Sequence, residues 1–205
     1  MQSPTLEREA ALWAQGHETV VGLDEVGRGP LAGPVIAAAV VFPPGQLLIE
    51  GLRDSKTMTA AARERMAVQV REQAVAYAIG AASVREIDRL NIRVATALAM
   101  RRAIARLPAS PDYVLIDGNP VPELGTRHEA MVGGDGTCLS IAAASVLAKC
   151  VRDHLMQLLG RRYPAFRWQE NKGYATKAHL DALDHDGPTR HHRTSFAPVV
   201  QPRLL

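Results

Sequence analysis

The chain has 205 residues, 47% apolar and 22% charged, which suits one folded domain with a sizeable core and excludes a disordered or low-complexity protein. The first residues lack the apolar core of a signal peptide, the longest apolar run (V-I-A-A-A-V-V-F, 35–42) is far too short to span a bilayer, and Cys138 and Cys150 alone make neither a disulfide framework nor a zinc cluster, so a cytoplasmic, membrane-free protein with buried thiols is expected. The net charge of +3 is uneven: residues 1–148 carry 14 Lys and Arg against 16 Asp and Glu, whereas residues 149–205 carry 10 against 5 and five of the seven histidines, which fits either a polyanion partner or an ordinary basic surface.

A short helix is expected over 5–16. Two β-rich apolar runs follow at 19–24 and 34–42, separated by Gly and Pro, and read as a hairpin-like strand pair. P-P-G at 43–45 ends the second. Residues 59–73 open with a Thr cap and read as an amphipathic helix, and 74–82 as a third strand. In the helix expected over 91–107, Ile92, Ala95, Ala99 and Ala103 share a face. Y-V-L-I-D at 113–117 is a buried strand, and H-E-A-M-V at 128–132 an edge strand. Ile141, Ala144, Ala148, Val151, Leu155 and Leu158 repeat at helical spacing over 139–159. The tail, 160–205, is basic with another helix near 176–185. Strands early and alternating helices later predict an α/β domain: a mixed central sheet flanked by helices, with a helical C-terminal extension.

Asp24 closes an apolar strand and is followed by Glu25. Asp117 closes Y-V-L-I-D, and Asp135 sits in G-G-D-G just before the long helix. Taken alone, each fits an ordinary strand-to-turn acid. Together they point to a divalent-metal site, because a carboxylate ending a buried run needs a partner and chemistry in α/β sheets gathers where strands end. Neighbouring side chains on a regular strand face opposite ways. Either the strand therefore ends at Asp24, or Glu25 reaches the site from the turn, partly through its carbonyl. Gly27-Arg28-Gly29 beside the acids lets main-chain groups approach a ligand, and it is neither a Walker loop nor a dinucleotide fingerprint.

G-L-D-E-V-G-R-G-P-L-A-G-P closely resembles the opening motif of type 2 ribonuclease H, specifically the bacterial ribonucleases HII. Further matches follow in that family's order: D-S-K at 54–56, I-D-x-L-N-I at 87–92, Y-V-L-I-D-G-N at 113–119, I-A-A-A-S-V-L-A-K at 141–149 with R-D at 152–153, K-G-Y at 172–174 and H-H-R-x-S-F at 191–196. The resemblance implies an RNase H-like fold. It implies an endonuclease that cuts the RNA of RNA–DNA hybrids and cuts 5′ of single ribonucleotides in duplex DNA, leaving 3′-hydroxyl and 5′-phosphate ends with two Mg²⁺ or Mn²⁺ ions. By motif position it implies Asp24, Glu25, Asp117 and Asp135 as the metal-binding catalytic acids. The backbone of Gly27, Arg28 and Gly29 would read the 2′-hydroxyl, and Tyr174 would pack on the deoxyribose after the junction. Lys56, Ser145, Lys149 and Lys172 would contact phosphate or sugar.

The division that follows is an N-terminal helix or extension over 1–18, the RNase H-like catalytic domain over 19–160 and the basic helical extension over 161–205, packed on the same domain. Two positions depart from the family pattern: M-V-G-G-D-G has no basic residue before the fourth acid, and Asn171 stands where a histidine often precedes K-G-Y. His191 and His192 read as structural or phosphate-facing rather than as ligands. The terminal Q-P-R-L-L loosely matches sliding-clamp peptides. Only about 19 residues precede the first strand, against the extra N-terminal domain of ribonuclease HIII. All four acids being present argues against a binding module without chemistry. A monomer is expected.

Overall fold

The computed structural model of the protein describes residues 3–199. Five strands form one mixed sheet: β1 Val20–Val26, β2 Val35–Val41, β3 Ala76–Ala82, β4 Tyr113–Asp117 and β5 Glu129–Met131. Their order is β3-β2-β1-β4-β5. β1 pairs antiparallel with β2, and β2 with β3, while β4 lies parallel to both β1 and β5. The hairpin and the edge strand expected from the sequence are both present. β1 runs two residues further than expected, because its ladder with β2 continues to Val26↔Ile36.

Among the described residues eight α-helices surround the sheet: α1 Glu7–Ala14, α2 Ala60–Gln73, α3 Val84–Leu90, α4 Ile92–Ile104, α5 Gly134–Thr137, α6 Leu139–Arg162, α7 Trp168–Asn171 and α8 Lys177–Asp186. The alternation of β2 sorts the two faces. Ile36, Ala38, Val40 and the following Phe42 pack with α2 and α6, whereas Val35, Ala37, Ala39 and Val41 pack with α4. Apolar residues at every position therefore mark a strand covered on both sides. Thr59 caps α2, its hydroxyl accepting from the Ala62 N–H at 3.2 Å.

Helix α6 crosses β1 at close range. A Cβ on Gly22 would lie 2.2 Å from the Ser140 carbonyl carbon, so only glycine permits this approach. The N-terminus of α6 has no side-chain cap of its own. Glu9 of α1, fully buried, supplies one: its Oε1 accepts from the Ser140 N–H at 2.8 Å and from the Cys138 thiol at 3.1 Å.

Two helical features differ from the sequence expectation. Helix α3 was not expected, and it is fixed by a capping box between Ser83 and Glu86. In α6 the stripe through Ile141, Ala144 and Ala148 is buried, but Leu158 is 46% exposed and Arg152, Asp153, Met156 and Gly160 are buried instead. The helix outruns the sheet, and its second half packs on the C-terminal segment, where Met156 joins Ala32, Phe166, Trp168 and Leu183. Among the described residues no helix is long and apolar enough to cross a membrane.

Candidate active site

The parallel register of β1 and β4 sets Leu23 beside Ile116, so the next residues, Asp24 and Asp117, stand on neighbouring strands just past that ladder. The single turn of α5, entered just after β5, adds Asp135. Carboxylate oxygens of Asp24, Asp117 and Asp135 lie within 4.8 Å of one another. The Asp135 N–H donates to Asp117 Oδ1 at 3.4 Å, which ties the glycine-rich turn to β4.

Asp24 is 5% exposed. Its Oδ1 accepts from the Glu25 N–H at 2.7 Å, and Ser145 of α6 lines the same cleft. Burial, with the charges of Glu25 and Asp117 behind it, holds the Asp24 carboxyl well above the usual carboxylate range. Burial and the neighbouring Asp135 raise Asp117 in the same sense. Carboxylates this close repel one another when charged, and a cation among them relieves that repulsion. Among the described residues the cationic side chain in hydrogen-bond contact is Lys56, whose Nζ lies 2.8 Å from Asp135 Oδ2. Burial opposes the charge on Lys56, but its bond to Asp135 and the nearby Asp54 and Asp24 leave its pKa raised. The cation that the segment before Asp135 lacks is thus supplied by the D-S-K turn.

Glu25 continues the row of Val21 and Leu23, on the face opposite Asp24. It stands outside the three-oxygen group and pairs with Arg28, Oε1 to Nη1 at 3.1 Å. Burial raises its pKa and Arg28 partly opposes that. The regular strand thus settles the geometry of the acidic pair: β1 does not end at Asp24.

Two clefts flank the acids. One, of about 400 Å³, holds Glu25, Arg28, Arg93, Asp117 and Asn119. The other, of about 410 Å³, holds Asp24, Lys56, Ser145, Lys149, Lys172 and Tyr174. Ser145 is buried and bonds Ser55, Oγ to Oγ at 2.8 Å. One turn on, Lys149 Nζ lies 2.6 Å from Asp153, which also meets Arg63 of α2 at 3.1 Å. Lys172 bonds the Gln169 carbonyl, and burial lowers its pKa. Tyr174 is 49% exposed. Its ring faces Gly29, where a Cβ would sit 3.6 Å from Tyr174 Cε1. Asn171 holds the K-G-Y turn: its Oδ1 accepts from the Gly173 N–H at 2.8 Å, and its Nδ2 donates to the Phe166 carbonyl at 2.8 Å.

Arg63 and Asp153 were not picked out as site residues from the sequence. The i,i+4 spacing of Lys149 and Asp153 on a helix is a readable signal for that pair. Nothing local announces Arg63, because only the packing of α2 on α6 brings it there. His192 is buried against Phe166 and Trp168 and bonded to His179, a structural place.

The donor set suits a hard divalent cation, since it offers carboxylate oxygens and neither thiolate nor imidazole. Residues 21–199 match the family model described as Ribonuclease HII. A Ribonuclease HII of Cereibacter sphaeroides is 55% identical over 96% of this chain and 92% of its own length. Two solved structures share the fold. Bst-RNase HIII in complex with Mn²⁺ has a TM-score of 0.72 at 21% identity, over 94% of this chain and 72% of its own. RNase HII in the PCNA:RNase HII complex from Archaeoglobus fulgidus has a TM-score of 0.71 at 22% identity, over 87% of this chain and 95% of its own. With its acids gathered at the strand ends and this match along nearly its whole length, the chain belongs to the ribonuclease HII family, the divalent-metal-dependent type 2 endonucleases that cleave the RNA strand of RNA–DNA hybrids.

Proposed function

We propose that the protein also cuts 5′ of a single ribonucleotide embedded in duplex DNA, leaving 3′-hydroxyl and 5′-phosphate ends, with two Mg²⁺ or Mn²⁺ ions. The observation that carries this reading is the position of Gly27–Gly29 and Tyr174 beside the convergent Asp24, Asp117 and Asp135. Bound divalent cations supply positive charge to polarise an attacking water and to offset charge on a departing oxygen. Asp24, Asp117 and Asp135 would hold them. Glu25, paired here with Arg28, would be the fourth acid to hold them. Lys56, Lys149 and Lys172 face the phosphates of the bound duplex. The turn at Gly27–Gly29 reads the 2′-hydroxyl, the group that distinguishes RNA from DNA. Tyr174 stacks on the sugar beyond the junction.

On this reading residues 19–160 carry the chemistry, the C-terminal segment adds Lys172 and Tyr174 to the substrate face, and the enzyme works as a monomer in the cytoplasm. Q-P-R-L-L at 201–205 lies outside the described residues. A sliding-clamp contact through it draws support from the Archaeoglobus fulgidus complex with PCNA.

The test is a cleavage assay on a labelled DNA duplex with one ribonucleotide, with Mg²⁺, Mn²⁺ or EDTA, beside an RNA–DNA hybrid and an all-DNA duplex. A single cut 5′ of the ribonucleotide, absent in EDTA and in Asp24→Asn, is expected. Cleavage of the hybrid without any cut in the single-ribonucleotide duplex would overturn the proposal.

A further inference from the structure

Arg152 and Arg193 are each 0% exposed, and among the described residues neither forms an ion pair. Their donors go to main-chain carbonyls. Arg193 donates from Nη1 to Arg28 O at 2.8 Å, from Nη2 to Gly27 O at 2.5 Å and Gly33 O at 2.8 Å, and from Nε to Gly33 O at 3.0 Å. Arg152 donates from Nε to Pro34 O at 3.1 Å, from Nη2 to Ala32 O at 3.1 Å and from Nη1 to Lys172 O at 3.0 Å. Burying two guanidinium groups without an acid is unfavourable. Burial and then Arg152 push the Arg193 pKa down to about 9.

A rigid fork of five donors is suited to fixing several acceptors at once. The acceptors chosen here are not scattered. They are the turn at 27–28, its return at 32–34, and Lys172, two residues before Tyr174. Main-chain bonds join the same segments: Leu31 N–H to Gly173 O at 2.8 Å, Arg193 N–H to Leu31 O at 2.8 Å, and Gly33 N–H to His191 O at 2.9 Å. Gly27 has φ of +93°, and a Cβ there would lie 2.1 Å from Arg152 Nε, so glycine is what lets the guanidinium pass beneath the turn.

The planarity of the peptide unit completes the argument. In a trans peptide the C=O and the N–H of one plane point in opposite directions. Fixing Gly27 O and Arg28 O on a buried guanidinium therefore aims the N–H groups of Arg28 and Gly29 outward. Neither N–H donates to another described residue. We propose that Arg193, backed by Arg152, is a positioning residue for ribose discrimination: it aims the Arg28 and Gly29 N–H groups at the 2′-hydroxyl and fixes their spacing from Tyr174. The proposal rests on the reading that the Gly27–Gly29 turn contacts that hydroxyl. Arg193 is itself anchored through Asp88 of α3, which accepts from the N–H and hydroxyl of both Thr194 and Ser195 at 2.7 to 3.1 Å.

The test compares the wild type with Arg193→Lys, which keeps the charge and loses the fork, and with Asp88→Asn, which loosens the anchor without touching the buried group. Tm, kcat and KM are measured on the single-ribonucleotide duplex. The Kd for that duplex and for an all-DNA duplex are measured in EDTA. With Tm nearly retained, Arg193→Lys is expected to lower kcat about 10- to 100-fold, to change KM less than about threefold, and to bring the two Kd values together. Asp88→Asn is expected to move the same quantities less. A folded Arg193→Lys with the wild-type kcat and Kd ratio overturns the proposal, as does a rise in KM alone. If Arg193→Lys does not fold, Asp88→Asn decides: lower kcat at unchanged Tm supports the positioning role, and wild-type kcat overturns it. A wild type that binds both duplexes equally instead overturns the reading of the turn itself.

Discussion

Lowering the pH from 7 to 4.5 is expected to weaken the fold by up to about 2 kcal/mol through His192. The ring is buried, and its hydrogen bonds assign its tautomer. Nδ1 accepts from the Thr189 N–H at 2.9 Å, so the proton sits on Nε2 and is donated to His179 Nε2 at 3.0 Å. His179 Nε2 also accepts from Trp168 Nε1 at 3.1 Å, and its Nδ1 donates to the Tyr174 carbonyl at 2.8 Å. Every ring nitrogen is engaged, and a second proton on His192 would turn an acceptor into a donor facing an N–H. Burial, then His179, hold the His192 pKa at about 4, against 6.5 for a free histidine. The unfolded chain therefore takes up the proton first. The contribution is complete above about pH 6.5, falls as the pH drops towards about 4, and stays low below that. At about 1.4 kcal/mol per unit the whole gap is worth roughly 3.5 kcal/mol, of which about 2.4 kcal/mol falls between pH 7 and 4.5, an upper figure that solvent screening reduces. Asp24, Glu25 and Asp117 act in the opposite sense, since protonation of a carboxyl with a raised pKa favours the folded state. The assay is urea unfolding at pH 7, 6, 5 and 4.5 for the wild type and His192→Gln, in which the acids cancel by comparison. The variant should start less stable and lose less on acidification. An equal loss in both proteins would refute the reasoning.

Two further outcomes follow from the same physics. Asp24→Asn removes one of the clustered buried charges, so in EDTA it should raise stability by on the order of 1 kcal/mol while abolishing cleavage; a lower Tm would show that Asp24 supports the fold rather than straining it. Glu9→Ala removes the acceptor that α1 gives to the start of α6, and should cost about 1–3 kcal/mol in urea unfolding; a change below about 0.5 kcal/mol would mean that the Ser140 N–H finds another partner.

The sequence made Asp24 and Asp117 visible because each breaks an apolar run, although only Asp117 ends its strand and Asp135 stands on the turn of α5. The alternation rule also gave the problem of Asp24 and Glu25 in the right form, and the continued β1–β2 ladder answers it by placing Glu25 with Arg28. Helix α3 carried its own signal, Ser83 followed three residues later by Glu86, but it is short and ends at Asn91, whose φ of 69° separates it from α4. The second half of α6 misled for a different reason. Its apolar period continues past the sheet, where the surface to be covered is that of the C-terminal segment, and a period does not say which neighbour a helix meets. Arg152 and Arg193 lay inside recognisable blocks, yet a buried arginine bonded only to carbonyls has no pattern in one dimension. Its partners are 20 to 166 residues away along the chain.

The site thus holds two electrostatic imbalances of opposite sign, and they are resolved differently. Asp24, Asp117 and Asp135 repel one another and, among the described residues, meet one cationic side chain in ion-pair contact, Lys56, so the structure leaves them in need of an external cation. Beneath the turn the two guanidinium groups are balanced internally, by dipoles whose positive ends must then face outward. On the proposed reading, a negatively charged strand carrying a hydroxyl at one sugar would meet both needs: divalent cations would satisfy acids and phosphate together, and the outward N–H groups would find an acceptor only where the 2′-oxygen is present. Selectivity for ribose and dependence on metal would then have separate physical origins within one cleft. Variants of the clamp should therefore lose discrimination while keeping their metal dependence, and variants of Asp24 or Asp117 should lose cleavage while still preferring the ribonucleotide-containing duplex.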